Sequence, residues 1–176
     1  LTSADHCTWK GVTCHNDAIT TLSLAMQGLS QHMTMFPLTL LEHAYFEDNN
    51  ICGNYTVVED TAVGDRNPLK VLSLSNNKLR NVVGMEYFPN LINLILHGNY
   101  FLGEFKITDE TFPAESLKSL DLSSNNLSLV SGLEKLTSLE LLNLSENFLA
   151  GNFIIAKSLS KLKGLYLSRN KLTGLE

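Results

Sequence analysis

The sequence contains no apolar run near the roughly 18 residues that a membrane-spanning helix needs. It opens on the polar stretch from Leu1 to Asp5 and shows no signal peptide, so we expect a mature or trimmed segment of a longer chain. Charged residues make up only 18%, too few for a disordered chain, while hydrophobic residues make up 44%, enough for a core. The net charge of −5 argues against nucleic acid as the partner.

Motifs for catalysis and metal binding are also missing. No pair of histidines has the H-x3-H or H-E-x-x-H spacing of metal sites, and no G-x-S-x-G or phosphate-binding glycine loop occurs. The histidines concerned are His6, His15, His32, His43 and His97. We therefore predict that the chain is not an enzyme and that it uses no cofactor or metal.

What the sequence does contain is an internal repeat. The pattern L-x-x-L-x-L-x-x-N-x-L fits five segments, which begin at Leu69, Leu91, Leu117, Leu139 and Leu162. Two degenerate copies begin at Ile19 and Leu41. The second apolar position of the seven copies falls at residues 22, 44, 72, 94, 120, 142 and 165. The resulting spacings lie within the usual leucine-rich-repeat period of roughly 20–29 residues.

This pattern has a direct structural meaning. The segment L-x-L predicts a short strand whose alternate side chains point inward and outward. Successive strands pair into a parallel sheet, the leucines fill the interior of each coil, and the Asn amide satisfies backbone groups at the turn. One coil cannot bury its apolar face alone, so stacking supplies the stability. We predict an α/β solenoid, a leucine-rich-repeat horseshoe with a parallel β-sheet on its concave face.

The chain divides into two regions. Residues 1–18 form a predicted N-terminal cap, and residues 19–176 hold about seven repeats. Two repeats carry insertions, at residues 53–68 and 103–116, which we interpret as bulges on the convex side or the flank. Long and short repeats alternate along the chain.

The cap region contains Cys7 and Cys14 on either side of Trp9. A small cap has little core of its own, so a disulfide suits it. The alternative is a metal or redox pair, but those sites usually have C-x2-C spacing. The spacing favours a structural disulfide and hence an oxidising, extracytoplasmic setting. We expect Trp9 to be buried against the first repeat.

The segment CTWKGVTC followed by AITTLSL resembles the N-terminal cap and first strand of plant leucine-rich-repeat receptors. The repeats LKSLDLSSNNL and LELLNLSENFLAGNF resemble the same receptor-like proteins and receptor kinases. The resemblance implies an extracellular ectodomain fragment that binds a peptide or protein, with a possible co-receptor, in plant immunity or development. The Ile-Pro that typically follows the glycine of a plant repeat is absent, and no kinase or membrane span is present.

Two alternative functions stay open at this stage. One is a secreted leucine-rich-repeat inhibitor of a microbial enzyme, and the other is a structural cell-surface or wall protein. All three functions place the chain outside the cell, secreted or at the cell surface. Membrane attachment would require segments that this chain lacks.

Three sequons, at Asn54, Asn126 and Asn143, make a glycoprotein plausible, although such triplets arise easily in an Asn-rich repeat. Cys52 is the odd cysteine. It is either a small buried apolar residue or a thiol that pairs outside this chain.

The candidate ligand-binding residues occupy variable positions of the strands and the turns that follow them. Exposed Tyr, Ile, His and Arg on a sheet surface have no role in folding and dominate interface energetics. The residues predicted to face the ligand are His43, Tyr45, Glu47, Asp48, Ile95, His97, Tyr166 and Arg169. Acidic residues dominate the N-terminal third, so the sequence predicts a partner with a basic segment.

Overall fold

The computed structural model describes residues 6–35, 38–58, 67–108 and 112–176. Strands are the main regular secondary structure in this part of the chain. Its helices are three short 3-10 turns at His6–Thr8, Met85–Tyr87 and Leu133–Lys135. No helix of the described residues is long and apolar enough to cross a membrane.

The concave face of the solenoid is an eight-stranded sheet. Its strands, in spatial order, are β1 (Val12–His15), β2 (Ala18–Ser23), β4 (His43–Tyr45), β6 (Val71–Ser73), β8 (Asn93–Ile95), β10 (Ser119–Asp121), β12 (Leu141–Asn143) and β14 (Gly164–Tyr166). β1 runs antiparallel to β2, and the other pairs are parallel. The predicted second apolar positions, from Leu22 to Leu165, pair with one another in register. The predicted fold is confirmed.

A second layer of strands lies behind the concave sheet, and the sequence analysis did not predict it. It consists of three separate parallel sheets, with one strand from each repeat. They are formed by β3 (Ser30–Met35), β5 (Asn50–Val57) and β7 (Lys78–Val83); by β9 (Leu102–Lys106) and β11 (Asn126–Ser131); and by β13 (Ala150–Phe153) and β15 (Lys171–Leu175).

Both insertions were predicted to be bulges, and this prediction is wrong for their first residues, which belong to strands. β5 includes Gly53, and β9 includes Gly103, so each insertion begins inside a strand. The reason is that side chains here alternate as in a strand, with Tyr55 and Val57 buried and Asn54 exposed. Residues 59–66 and 109–111, in the middle of the insertions, lie outside the described residues.

The core fills the space between the two layers. The concave strands contribute fully buried leucines such as Leu72, Leu94 and Leu142. The second layer contributes aromatic rings, with Phe105 in edge-to-face contact with Phe101, at 5.6 Å between ring centroids. Full burial of one such side chain stabilises the fold by about 1.5–3 kcal/mol.

An asparagine ladder links each coil to the one before it, as the repeat pattern predicts. In each rung the amide oxygen accepts a backbone N–H of the preceding coil, and the amide nitrogen donates to backbone carbonyls. Asn77, for example, accepts from Ile51 N at 3.0 Å and donates to Phe46 O at 2.9 Å and Leu74 O at 3.1 Å. The rungs are Asn49, Asn77, Asn99, Asn125, Asn147 and Asn170.

The N-terminal cap contains the predicted disulfide. Cys7 and Cys14 are bonded, with 5.6 Å between their Cα atoms. Cys14 lies on β1, and β1 continues the concave sheet beyond the first repeat. The cap is therefore held to the repeats by strand pairing.

The predicted burial of Trp9 is wrong, because 60% of its surface is exposed. It lies in the turn between the first 3-10 helix and β1, where its backbone N–H donates to His6 O at 3.2 Å. The strand of the first repeat, β2, is already paired with β1 on its outer edge, so Trp9 is not needed to cover it.

We expect Trp9→Ala to change the free energy of unfolding by about 0.5 kcal/mol or less, as for most exposed residues. The fully buried Leu72→Ala should cost about 2–5 kcal/mol in the same assay. Urea denaturation followed by circular dichroism measures both. A loss above about 2 kcal/mol for Trp9→Ala would mean that the indole packs against the repeats after all.

Candidate ligand-binding surface

The solvent-facing side of the concave sheet is organised in two rows. In each strand from β4 to β12 the middle residue is buried, while the first and third residues are at least partly exposed except for Ser73, which is buried. The first row consists of Thr21, His43, Val71, Asn93, Ser119, Leu141 and Gly164. The second row consists of Ser23, Tyr45, Ser73, Ile95, Asp121, Asn143 and Tyr166.

Three of the predicted ligand-facing residues lie in the second row. Tyr45 and Ile95 are half-buried and stand two strands apart, with Ser73 between them. Adjacent strands lie about 4.8 Å apart, so these two side chains are about 10 Å from each other. Tyr166 is 55% exposed and lies three strands beyond Ile95. His43 is half-buried in the first row.

The other four predicted residues lie in the turns after the strands. Asp48 and Arg169 adopt a left-handed backbone immediately before a ladder asparagine, with φ values of 57° and 55°. Both side chains already have partners, since Asp48 accepts from Asn76 Nδ2 at 2.8 Å and Arg169 forms an ion pair with Glu146. They are therefore less available to a ligand than the second-row residues.

Glu47 and His97 lie two residues after the second row. Glu47 is half-buried, and its Oε2 atom is buried without a hydrogen-bond partner among the residues that the structure describes. An unpaired buried carboxylate oxygen is costly unless a donor reaches it. This position of the concave face can therefore accept a donor from a ligand.

A polar network on the C-terminal half of the face was not predicted. His97 Nδ1 lies 2.9 Å from Ser123 Oγ, and Ser123 donates to Asp121 Oδ1. Asn143 Nδ2 donates to Ser123 Oγ at 3.2 Å and to Asp121 Oδ2 at 3.3 Å. These bonds fix a half-buried carboxylate, Asp121, in the second row.

The sequence held a signal for this network. Aligning the repeats places Asp121 beside Asn143 in the second row, with Ser123 two residues further along. No role for Ser123 was predicted, but its hydroxyl orients Asp121, the one carboxylate among the described residues of the second row.

The remaining charges flank the sheet. The pKa of the Glu146 carboxyl lies below its usual value. The main cause is a hydrogen bond from Ser124 Oγ, and the second is a hydrogen bond from the Arg169 guanidinium. On the opposite side, Lys70 bonds Glu42 and lowers the pKa of that carboxyl. Such exposed pairs contribute little stability, and here they serve to fix side chains at the border of the face.

The three sequons differ in their surroundings. Asn54 and Asn126 are exposed on strands of the second layer. Asn143 lies within the concave network, and its amide nitrogen, where a glycan would attach, is hydrogen-bonded. Glycosylation at all three sites stays a prediction.

Two other features concern the cysteines. Cys52 is a free, half-buried thiol on β5. His6 lies near Cys7 and Cys14, within reach of a shared metal ion, but the two sulfur atoms are bonded to each other. A disulfide offers no thiolate, so this group is not a metal site.

Comparison with known proteins agrees with the solenoid geometry. A family model described as Leucine Rich Repeat matches residues 116–136, which contain β10, the ladder rung Asn125 and β11. The rungs and registers above repeat this unit along the chain. The chain has the fold of a leucine-rich-repeat solenoid.

Proteins similar to this chain include a plant receptor-like kinase. Probable LRR receptor-like serine/threonine-protein kinase RPK1 of Arabidopsis thaliana is 32% identical over 111 residues, which are 61% of this chain and 20% of the kinase. The crystal structure of PEPR1-AtPEP1 superposes with a TM-score of 0.67 at 25% identity, over 94% of this chain and 24% of that one.

A third comparison shows the fold alone. The plant peptide hormone receptor RGFR1 in complex with RGF2 superposes with a TM-score of 0.67 at 23% identity, over 96% of this chain and 26% of that one. The chain thus spans about a fifth of the kinase and about a quarter of each receptor. The likeness concerns the repeats and extends to no catalytic domain.

Proposed function

We propose that this chain is an extracellular, ligand-binding segment of a leucine-rich-repeat receptor and that it binds an extended peptide or protein segment across the concave face. The observation that carries the proposal is the second row itself. It places Tyr45, Ile95 and Tyr166 in one line with the oriented carboxylate of Asp121.

The shape of the solenoid supports this choice of surface. The interior of the coils is filled by leucines that are 0–1% exposed, from Leu41 to Leu144, so the interior offers no room for a small molecule. The concave sheet is rigid because each strand is held by its neighbours and by the ladder. A rigid surface loses little conformational entropy on binding.

The chemistry of the second row indicates the kind of ligand. Tyr45 and Ile95 offer apolar contact, and Asp121 and Glu47 offer acceptors and negative charge. We infer a ligand with apolar side chains and at least one Lys or Arg. The solved neighbours are consistent with a peptide, since the receptor RGFR1 is in complex with RGF2.

A concave-face ligand should lose affinity when the second row is truncated. For a peptide selected against this chain from a displayed library, Tyr45→Ala and His97→Ala should each weaken binding at least tenfold, or about 1.4 kcal/mol, as measured by isothermal titration calorimetry. Asp121→Asn should cost a similar amount and should reduce the salt dependence of the affinity, because one charge is lost.

Leu129→Ala is the matched control, since Leu129 is 51% exposed but lies on β11 in the second layer. It should change the affinity less than about twofold. If Leu129→Ala abolishes binding while the three concave variants bind normally, the ligand does not use the concave face.

A further inference from the structure

The second layer of strands is interrupted between β7 and β9. These two strands approach at one hydrogen bond, from Tyr100 N to Leu79 O at 2.8 Å. Beyond it, β7 pairs only with β5 and β9 only with β11 among the described strands. Two strand edges therefore face each other across a cleft. We propose that an extended segment of a partner protein binds in this cleft by adding a strand to these edges.

The cleft has the size and lining that such a segment requires. Its volume is about 320 Å³, and its floor is made of the buried side chains Val82, Phe101, Phe105 and Leu127. Leu102, 78% exposed, stands on its rim. Unpaired strand edges present N–H and C=O groups that another main chain can satisfy. Because strand side chains alternate, the bound segment would place every second side chain on the apolar floor.

One buried polar atom in the wall also lacks a partner. The Oε2 atom of Glu86 is buried and accepts no hydrogen bond from the residues that the structure describes. A buried acceptor that is left unpaired destabilises the free protein. A hydroxyl or a backbone N–H of the bound segment would satisfy it.

The charges around the cleft indicate that the segment carries an acidic residue. Arg80 on β7 and Lys106 on β9 line the cleft and form no ion pair with another described residue. The two acids of the lining are Glu104, which accepts a hydrogen bond from Ser131 Oγ, and Glu86, whose Oε2 atom is buried. The partner chemistry is therefore an extended segment with alternating apolar and polar residues, at least one of them Asp or Glu.

A second interruption, between β11 and β13, serves as an internal comparison. It also begins at one hydrogen bond, from Phe148 N to Leu127 O at 2.8 Å. Its cleft measures about 420 Å³, but no Lys or Arg lines it. A segment selected by charge should therefore prefer the cleft between β7 and β9.

The test uses a fluorescein-labelled octapeptide of alternating valine and glutamate, with fluorescence anisotropy as the measure of binding. Arg80→Ala should weaken binding about fivefold or more, while Lys157→Ala, an exposed lysine near the far end of the chain, should change it less than about twofold. Removing the amide hydrogens of alternate residues by N-methylation should weaken binding about tenfold in either register, because alternate N–H groups point to opposite strand edges.

Hydrogen exchange with mass spectrometry then locates the peptide. Protection should increase in residues 79–83 and 102–106 and stay unchanged in the concave strands. No binding at 1 mM peptide, undiminished binding of either N-methylated peptide, or protection confined to another surface would each overturn the proposal. Because Arg80 is exposed, its removal should leave thermal unfolding unchanged, which separates lost binding from lost folding.

Discussion

Asn125→Ala should destabilise the protein by about 3–5 kcal/mol, more than most surface or loop substitutions. Asn125 is a buried rung of the ladder and makes four hydrogen bonds. Its amide oxygen accepts from Phe101 N at 3.1 Å, and its amide nitrogen donates to the carbonyls of Leu96, Leu122 and Ser123 at 3.0–3.1 Å.

The size of this effect comes mainly from what the substitution leaves behind. Phe101 is 2% exposed, so its N–H would lose its acceptor in a place that water cannot easily reach. An orphaned buried donor costs about 1–3 kcal/mol. The carbonyl groups of Leu96 and Leu122 keep one hydrogen bond each, because Leu96 O also accepts from Asn99 and Leu122 O also accepts from Asn147. The lost bonds and the cavity supply the remainder, at about 0.5–1.5 kcal/mol for each bond.

Asn126→Ala is the matched control, since Asn126 is the next residue and its side chain is exposed. Urea denaturation of unglycosylated protein should show that Asn126→Ala changes the free energy of unfolding by about 0.5 kcal/mol or less. Hydrogen exchange should show the loss concentrated in the repeats that Asn125 joins, around Phe101 and Leu127. Equal stability of the two variants would mean that the rung contributes no more than an exposed amide.

The features that sequence reasoning predicted well are those that recur in every repeat. The buried middle position of each concave strand and the asparagine rung depend on local geometry that each coil repeats. Even the degenerate second repeat, with Ala44 and Asn49 in these positions, pairs in register. Spacing alone therefore fixes the register of seven strands.

The features that sequence reasoning missed depend on contacts between repeats or occur only once. Trp9 was expected in the core because a large apolar residue near a disulfide usually packs there. The structure instead covers the first strand with β1. The second-layer strands were missed because their sequences, such as LGEFK, have no shared template. The Asp121 network was missed because hydrogen bonds join residues of different repeats.

The alternation of long and short repeats has a structural counterpart in the glycines of the short repeats. Gly84 and Gly132 both have positive φ angles and open a 3-10 helix immediately after β7 and β11. Gly84 lies against the carbonyl oxygen of Val57, and Gly132 lies against that of Ile107. Both carbonyls belong to the preceding long repeat. The β5–β7 and β9–β11 pairs therefore each join a long repeat to the short repeat that follows it, and β3 extends the first of these sheets.

Gly132→Ala tests that contact and should destabilise the protein by about 2–5 kcal/mol. The φ angle of Gly132 is 80°, which alone costs an L-residue about 1–2 kcal/mol. An added Cβ would also lie 1.9 Å from Ile107 O, so the backbone of one repeat must shift. That shift strains the bond from Ile107 N to Ser131 O, now 3.0 Å, and overpacking of this kind costs a further 1–3 kcal/mol or so.

Gly151→Ala separates the two causes. Gly151 has a similar φ of 76°, but an added Cβ would have nothing within 4 Å. It should therefore show the conformational cost alone, about 1–2 kcal/mol in the same urea titration. The difference between the two variants measures the contact between paired repeats. If both lose the same amount, the contact with Ile107 contributes nothing, and the pairing of long with short repeats must depend on the strand ladder between β9 and β11 instead.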